Sequence, residues 1–281
     1  MKIGFIGLGK LGLPVALAIE KRGHKVFGFD IDNKVKEIIA TKKITYKEKG
    51  AEKLLKKSKI KFKDINYITK NSDIIFIAIQ TPHEAKFEGI TKIPKTRKDF
   101  NYKYLINGLK NLSSEIDKQK KIKDVVLIST VLPGTINKYI KPILSSNINL
   151  TYNPFFIAMG TTIDDFLFSE MILLGLDKKT KVEKLIKFYK SINKSPIFKT
   201  NIENAELIKV VYNTYISTKI SFINSIMETC HNLPNTNVDE VSNALSLCKE
   251  RIISNKYMFG GMGDVAGRVK VYETIVKGEE N

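Results

Sequence analysis

Three glycines near the amino end have the spacing of a phosphate-binding turn. Gly7, Gly9 and Gly12 form the pattern G-x-G-x-x-G directly after an apolar run, and Leu11 lies inside it. Glycine lets the backbone turn tightly and approach a pyrophosphate, while the N-terminus of a following helix attracts the anion. The pattern therefore predicts a dinucleotide site. The alternative is a glycine turn that serves only helix packing.

One acidic residue indicates which dinucleotide this turn would bind. Asp30 ends the second apolar run, eighteen positions after Gly12. In dinucleotide-binding domains an acid about twenty residues on hydrogen-bonds the ribose 2′-hydroxyl. A carboxylate there repels a 2′-phosphate, so the sequence predicts NAD rather than NADP. Lys34, a few residues later, would weaken that selectivity.

Two threonines follow later apolar runs. Thr81 ends the segment IFIAIQT, and Thr130 lies in DVVLISTVLPGT. Ligands of parallel sheets bind at the carboxyl edge of the strands, so both hydroxyls are expected beside the cofactor. An ordinary turn hydroxyl is the alternative for each of them.

A lysine and an asparagine lie one helical turn apart in the second half of the chain. Residues 202–232 carry apolar positions at helical spacing without proline or glycine, which predicts one long, largely buried helix. The separation of four puts Lys209 and Asn213 on one face of it. An ammonium and a carboxamide there can hold an oxyanion or orient a water. The alternative is a snorkelling lysine beside a polar interruption.

The elements that would position these residues follow from the hydrophobic pattern. Short apolar runs alternate with amphipathic helical stretches, which predicts an α/β fold with a Rossmann-type, doubly wound parallel sheet covered on both faces. A long-helix α-helical domain is expected to follow the sheet. The predicted strands are 2–6, 25–29, 73–79 and 124–129, and the predicted helices are 14–22, 34–40, 202–232 and 238–254. The polar stretch 83–103 is predicted to be a mobile loop over the site.

The charge of the chain does not favour nucleic acid as a partner. The 281 residues carry a net charge of +18, but only four basic residues are arginines and the lysines are scattered along the whole chain. Readers of bases and phosphates favour the bidentate arginine fork. Attraction of a phosphorylated, acidic small molecule fits this charge better.

The cysteines, the apolar start of the chain and the histidines indicate its cellular location and whether it binds a metal. Cys230 and Cys248 are too few for a disulfide framework, which favours a reducing, cytoplasmic setting with buried thiols. Lys10 and Pro14 interrupt the apolar start, so no signal peptide or membrane span is expected. The histidines are widely scattered and predict no metal site.

The order of the motifs resembles one enzyme family. The segments GLGKLGLP, GFDID, IFIAIQTP, STVLPGT, YNPFFIAMGTTIDDF, MILLG and AELIKVVYNTYISTKISFIN follow one another over about residues 1–264. Together they resemble the UDP-glucose/GDP-mannose dehydrogenase family, the nucleotide-sugar dehydrogenases.

The resemblance implies an oxidoreductase of polysaccharide biosynthesis. Such an enzyme oxidises the C6 alcohol of a UDP- or GDP-sugar to a carboxylate in two NAD-dependent steps, with a thiolate that traps the aldehyde. It implies Lys209, Asn213 and Thr130 as catalytic residues. The cofactor-binding residues that it implies are Gly7, Gly9, Leu11, Gly12, Asp30, Lys34, Thr81 and Thr130.

The resemblance also implies a domain organisation. We expect an NAD-binding domain at 1–199, a central helical domain at 200–259 that forms a homodimer, and a glycine-rich segment with a polar tail at 260–281. We expect the family's last domain, which binds the nucleotide half of the substrate, to be missing, as in a C-terminally truncated member.

Two departures from the family pattern affect the expected chemistry. Phe155 occupies the place of a glutamate that the family commonly has after Asn-Pro. The nucleophile motif would put a cysteine near Arg268 and an aspartate near Tyr272, and it is absent. We therefore expect NAD binding and at most a slow, single-hydride oxidation. The alternatives are a β-hydroxyacid dehydrogenase and a non-catalytic NAD-binding or assembly protein.

Overall fold

Strands in the first part of the chain pair side by side in a single sheet. In the computed structural model residues 1–87, 92 and 94–254 are described, and within these ranges the sheet has eight strands. They are β1 (Lys2–Ile6), β2 (Lys25–Phe29), β3 (Lys61–Phe62), β4 (Ile74–Ile77), β5 (Lys123–Leu127), β6 (Ile148–Tyr152), β7 (Ile172–Leu176) and β8 (Ile197–Asn201).

The strand order is β3-β2-β1-β4-β5-β6-β7-β8. Neighbouring strands are parallel except for β6 and β7, which run antiparallel through the pair Tyr152 and Gly175. The predicted Rossmann-type α/β fold is confirmed, since order 3-2-1-4-5-6 is that of dinucleotide-binding sheets. The antiparallel β6–β7 pair is a difference from the all-parallel sheet expected from the sequence.

Helices connect the strands and continue beyond the sheet. They are α1 (Gly12–Lys21), α2 (Asn33–Thr41), α3 (Ala51–Lys57), α4 (Ile65–Asn71), α5 (Lys103–Asp117), α6 (Thr162–Leu167), α7 (Glu183–Lys190), α8 (Ile202–Asn232) and α9 (Val238–Ser246). A π-helical turn at Ile136–Ile140 follows β5, and another lies at Lys249–Ile253. The helix predicted over 238–254 is therefore shorter, because α9 ends at Ser246.

The central strands are buried on both faces, as their continuous apolar runs predict. Along β4, Ile74 and Phe76 join one hydrophobic cluster, whereas Ile75 and Ile77 join a second cluster. Because successive side chains of a strand point to opposite faces, the two clusters lie on opposite sides of the sheet. The central strands, whose ends carry the site, are therefore packed on both faces.

Helix α8 has the predicted length but is not largely buried. Its four buried residues are Ile202, Ala205, Glu206 and Lys209. Large apolar side chains further along it are exposed, namely Tyr215, Ile216, Ile220, Phe222 and Met227. The expectation of burial was wrong because helical periodicity reports a face suited to burial and does not report what covers it.

The two cysteines are also less buried than expected. Cys230 is half-buried and Cys248 is exposed. Both lie in the second of two units into which the chain divides, the first being Met1–Tyr212 and the second beginning at Asn213. No helix within the described ranges combines the length and apolar character that crossing a bilayer requires.

Candidate active site

The candidate site lies where the strand order reverses. β1 pairs with β2 on one side and with β4 on the other. The chain leaves β1 through Gly7, whose amide donates to the Phe29 carbonyl at 2.9 Å, and leaves β4 through Ala78, whose amide donates to the Ile6 carbonyl at 2.8 Å. Open α/β sheets bind ligands at the carboxyl ends of strands at such a reversal.

The three glycines of the turn have different surroundings. Gly7 has φ +94°, and a Cβ there would lie 2.4 Å from the Ala78 carbonyl oxygen. A Cβ on Gly12 would lie 2.1 Å from the Gly7 carbonyl oxygen, so helix and strand approach too closely for a side chain. An added Cβ on Gly9 would meet no atom within 4 Å. Gly7 and Gly12 are thus required by packing, whereas Gly9 leaves open space beside the backbone.

The start of α1 suits a bound anion. Leu11 is the N-cap residue, and no side chain caps the helix. First-turn amides of a helix lack intrahelical acceptors and carry the positive end of the dipole. In α1 the Leu13 amide donates to the Gly9 carbonyl at 3.1 Å, and Pro14 has no amide hydrogen. The Leu11 and Gly12 amides are therefore the donors that suit the pyrophosphate of a dinucleotide beside the open space at Gly9.

Asp30 is oriented by the same turn. One oxygen of its carboxylate accepts the Leu8 amide at 2.7 Å, and the other accepts the Asp32 amide at 2.9 Å. Each carboxylate oxygen can accept a further hydrogen bond, which is what a ribose hydroxyl would need. Lys34 is exposed in the first turn of α2. The structure thus joins Asp30 to the glycine turn, as its spacing predicts.

Thr81 and Thr130 lie together at the ends of neighbouring strands. The Thr81 hydroxyl donates to the Thr130 carbonyl at 2.7 Å. The adjacent Ser129 hydroxyl donates to the Ile79 carbonyl at 2.6 Å. These two bonds link the segments that follow β4 and β5, so the two predicted cofactor neighbours share one edge.

The loop predicted over 83–103 is anchored at its far end. Tyr102 is buried, and its hydroxyl donates to Asp99 at 2.7 Å and accepts from Leu132 and Thr135. Burial, together with the neighbouring Asp99 carboxylate, raises the pKa of Tyr102 to about 12. The anchor ties this loop to the segment after β5. Residues 88–91 and 93 of the predicted mobile loop lie outside the described residues.

A buried carboxylate fastens α8 to the same segment. Glu206 accepts the Gly134 amide at 2.7 Å and the Ile136 amide at 2.8 Å. Burial raises its pKa, and the two amide bonds oppose that shift. Because Gly134 lies four residues after Thr130, Glu206 holds the first turns of α8 against the loop that carries this threonine.

Lys209 is buried one turn further along α8, with a 6% exposed side chain. Its ammonium nitrogen lies 5.2 Å from the ring centre of Phe156 and 5.9 Å from that of Tyr212. Burial lowers the pKa of Lys209 to about 8. Phe156 and Tyr212 were not predicted as site residues, since their only sequence signal was that they are next to Phe155 and Asn213.

The position of the expected family glutamate is apolar here. Phe155 packs against Phe166 with ring centres 5.3 Å apart and borders a small cavity of about 20 Å³. The preceding Asn153 is buried and donates to the Leu173 carbonyl at 2.8 Å, while the Tyr189 hydroxyl donates to it. The segment after β6 is therefore firmly held, but it offers no carboxylate at Phe155.

Other predicted site residues fall elsewhere. Asn213 is exposed on α8 and is the first residue of the second unit. The segment that would carry the family's nucleophile motif, including Arg268 and Tyr272, lies outside the described residues. Among the residues that the structure does describe, no three His, Cys, Asp or Glu side chains gather closely enough to hold a metal ion.

Comparison with known proteins identifies relatives over most of the chain. The UDP-glucose 6-dehydrogenase of Rickettsia prowazekii is 30% identical over 273 residues, which cover 94% of this chain and 59% of the relative. The GDP-mannose 6-dehydrogenase of Pseudomonas aeruginosa is 29% identical over 240 residues, covering 80% of this chain and 52% of the relative. The chain thus spans between half and two thirds of the length of these relatives.

A solved structure gives the same result. A ternary complex of GDP-mannose dehydrogenase from Pseudomonas aeruginosa matches with a TM-score of 0.83 and 25% identity, covering 100% of this chain and 65% of that one. The model of the UDP-glucose/GDP-mannose dehydrogenase family, NAD binding domain, matches residues 1–193, and that of the central domain matches residues 203–269. Because these two models together account for most of the sequence, the chain belongs to the UDP-glucose/GDP-mannose dehydrogenase family, and its first 193 residues are the family's NAD-binding domain.

Proposed function

We propose that this chain binds NAD and oxidises the C6 alcohol of a UDP- or GDP-sugar to the aldehyde. The observation that carries the proposal is the buried Lys209 on a helix that Glu206 fastens to the loop after Thr130. That loop shares its sheet edge with the glycine turn and Asp30. A buried lysine at the sheet edge that also carries a dinucleotide turn is suited to stabilising the charge that develops in alcohol oxidation.

The chain's own residues would perform most of this step. The amides of the glycine turn and Asp30 hold the dinucleotide, and NAD, when bound, supplies the acceptor for a hydride. As the hydride leaves the alcohol carbon, the hydroxyl proton must leave the oxygen and pass to water, because an ammonium cannot accept it. The charged form of Lys209, which a pKa of about 8 keeps predominant at pH 7, can stabilise the negative charge that develops on this oxygen.

The second oxidation requires a group that the proposed site does not have. Oxidation of the aldehyde through a thioester needs a thiolate, and the sequence has two cysteines, Cys230 and Cys248, neither in the family's motif. We therefore propose that this chain alone stops after one hydride transfer. A role in polysaccharide biosynthesis and a cytoplasmic location belong to the same proposal through the family.

Cofactor choice gives the first prediction. In calorimetric titrations at moderate salt, NAD should bind in a saturable way and NADP at least about tenfold more weakly, because the Asp30 carboxylate repels a 2′-phosphate. Asp30→Asn keeps an acceptor for the Leu8 amide but removes the charge, so it should abolish most of the difference. Equal affinities in the unaltered chain would contradict the role of Asp30.

Activity is measured separately, with UDP-glucose and GDP-mannose as substrates. One NADH for each sugar, with aldehyde as product, supports the proposed single step, whereas two NADH with a carboxylate product contradict it. NAD binding without turnover of any nucleotide sugar favours a non-catalytic role. A small 3-hydroxy acid in the same assay tests the alternative of a β-hydroxyacid dehydrogenase.

We also propose that the chain forms a homodimer through α8. Support comes from the exposed apolar side chains of the helix, including Ile220 and Phe222, which are 58% and 56% exposed. Light scattering at micromolar concentration should give twice the chain mass of 31.9 kDa. Phe222→Glu should shift the mass to that of one chain, because a charge would then need burial in the interface. A monomer before any substitution contradicts the proposal.

A further inference from the structure

Two aromatic rings enclose the ammonium of Lys209. Phe156 comes from the segment after β6, and Tyr212 lies three residues after Lys209 on α8, so both rings reach the same side of the helix. The two rings touch edge to face, with centres 4.6 Å apart and planes at 61°. They form a corner, and the lysine nitrogen lies 5.2 Å and 5.9 Å from their centres.

The segment that carries Phe156 is fixed on both sides of the ring. Before it, Asn153 is held by Leu173 and Tyr189. After it, the Gly160 amide donates to the buried Glu48 carboxylate at 3.0 Å. Because both flanks are fastened, the Phe156 ring is held in place before any ligand binds.

The two rings can offset the hydration that the Lys209 ammonium loses on burial. A buried ammonium loses its hydration, which disfavours the charged form. The face of an aromatic ring attracts a cation within about 6 Å, and this attraction reaches about 2 kcal/mol when the cation is desolvated. Rings can therefore keep the charge in an apolar wall and give it a defined position at the same time.

We propose that Phe156 and Tyr212 are positioning residues that hold the Lys209 ammonium in its charged form at the reaction site. This inference deepens the proposed function and rests on it for the role of Lys209 in oxidation. The enclosure itself is a property of the chain without ligands.

Carboxylates act near the corner from α8 and from the chain around α6. Glu206 lies one turn earlier on α8 and is engaged by two backbone amides. On the other side, Asp165 and Glu170 act on Tyr212, whose pKa is raised first by burial and then by these carboxylates.

The enclosure predicts the direction in which Lys209 titrates after substitution. Phe156→Leu keeps apolar cover but removes the ring face, so the charged form loses its attraction and the pKa of Lys209 falls from about 8 by about one. At pH 7 the neutral fraction of Lys209 should rise roughly fivefold. Phe156→Tyr keeps a ring and should leave the titration unchanged.

The titration is measured by NMR on the full chain grown with lysine labelled at the ε-carbon. A Lys209→Arg spectrum assigns the signal, and Lys219, which lies 5.9 Å from the exposed Tyr215 ring, is the internal control. Circular dichroism verifies that each variant is folded. Tyr212→Leu is the second variant should Phe156→Leu fail to fold, and it should shift the titration in the same direction.

A lower midpoint in a folded leucine variant, with the tyrosine variant unchanged, supports the proposal. A midpoint that stays the same or rises shows that the rings only pack against the lysine, and overturns it. The titration of Lys209 is measured without NAD or a sugar. Absence of NAD binding or of sugar turnover would therefore refute the proposed function, but it would not decide whether the rings hold the ammonium.

Discussion

Replacing Gly12 with alanine is expected to lower the free energy of unfolding of the first unit by about 3 kcal/mol. The new Cβ would lie 2.1 Å from the Gly7 carbonyl oxygen, which is backbone and cannot move aside as a flexible side chain could. Helix α1 would have to shift away from β1, and the anion-binding amides would shift with it. We therefore expect loss of measurable NAD binding, checked by urea unfolding and calorimetry.

Gly9→Ala is the matched control in the same turn. A Cβ at Gly9 meets no protein atom within 4 Å, so the free energy of unfolding should change by less than about 0.5 kcal/mol. The methyl group would nevertheless occupy the space beside the backbone that the pyrophosphate approaches, and NAD affinity should fall at least about tenfold. Unchanged NAD affinity in this variant would mean that the glycine turn serves only packing.

Replacing Lys209 with methionine is expected to stabilise the fold and to remove the oxidation activity. Burial lowers the pKa of Lys209 to about 8, against 10.5 in the unfolded chain, so the charged form costs about 3 kcal/mol at pH 7. Methionine has a similar length and no charge to desolvate. The rate of sugar oxidation should fall by about a hundredfold or more, because the oxyanion loses its stabilising charge.

The pH dependence of the free energy of unfolding shows whether Lys209→Met stabilises the fold by removing a buried charge or by packing better. Between pH 8 and 10.5 the folded chain binds fewer protons than the unfolded chain, so its stability rises with pH. The methionine variant lacks this contribution, and its stability advantage should shrink by about 2 kcal/mol between pH 7 and pH 10. Lys219→Met, at an exposed position of the same helix, is the control. If the methionine variant is more stable than the unaltered chain by the same amount at every pH in this range, removal of a buried charge is not the cause.

The sheet and the dinucleotide turn could be predicted because their signals are local. The run around Ile74–Ile77 is apolar at every position, which already indicates a strand covered on both faces. The glycine spacing and Asp30 likewise report backbone requirements within one strand-turn-helix unit. Such features need no knowledge of distant parts of the chain.

The surroundings of Lys209 could not be predicted, because they depend on contacts between distant segments. Phe156 precedes Lys209 by 53 residues, and nothing in its neighbourhood indicates that its ring meets an ammonium. The exposure of Phe222 and Cys248 was missed for a related reason. Periodicity along a helix carries no information about whether another surface meets it.

The two hydrogen bonds that Glu206 accepts also limit insertions and deletions in the turn of α8 between Glu206 and Lys209. Glu206 fixes the rotation of α8 at one point, and Lys209 follows three residues later. Each residue of an α-helix turns about 100°. One inserted or deleted residue between them would swing the ammonium out of its aromatic corner while the anchor stayed in place. Substitutions in this turn are therefore far easier to accommodate than any change in the number of its residues.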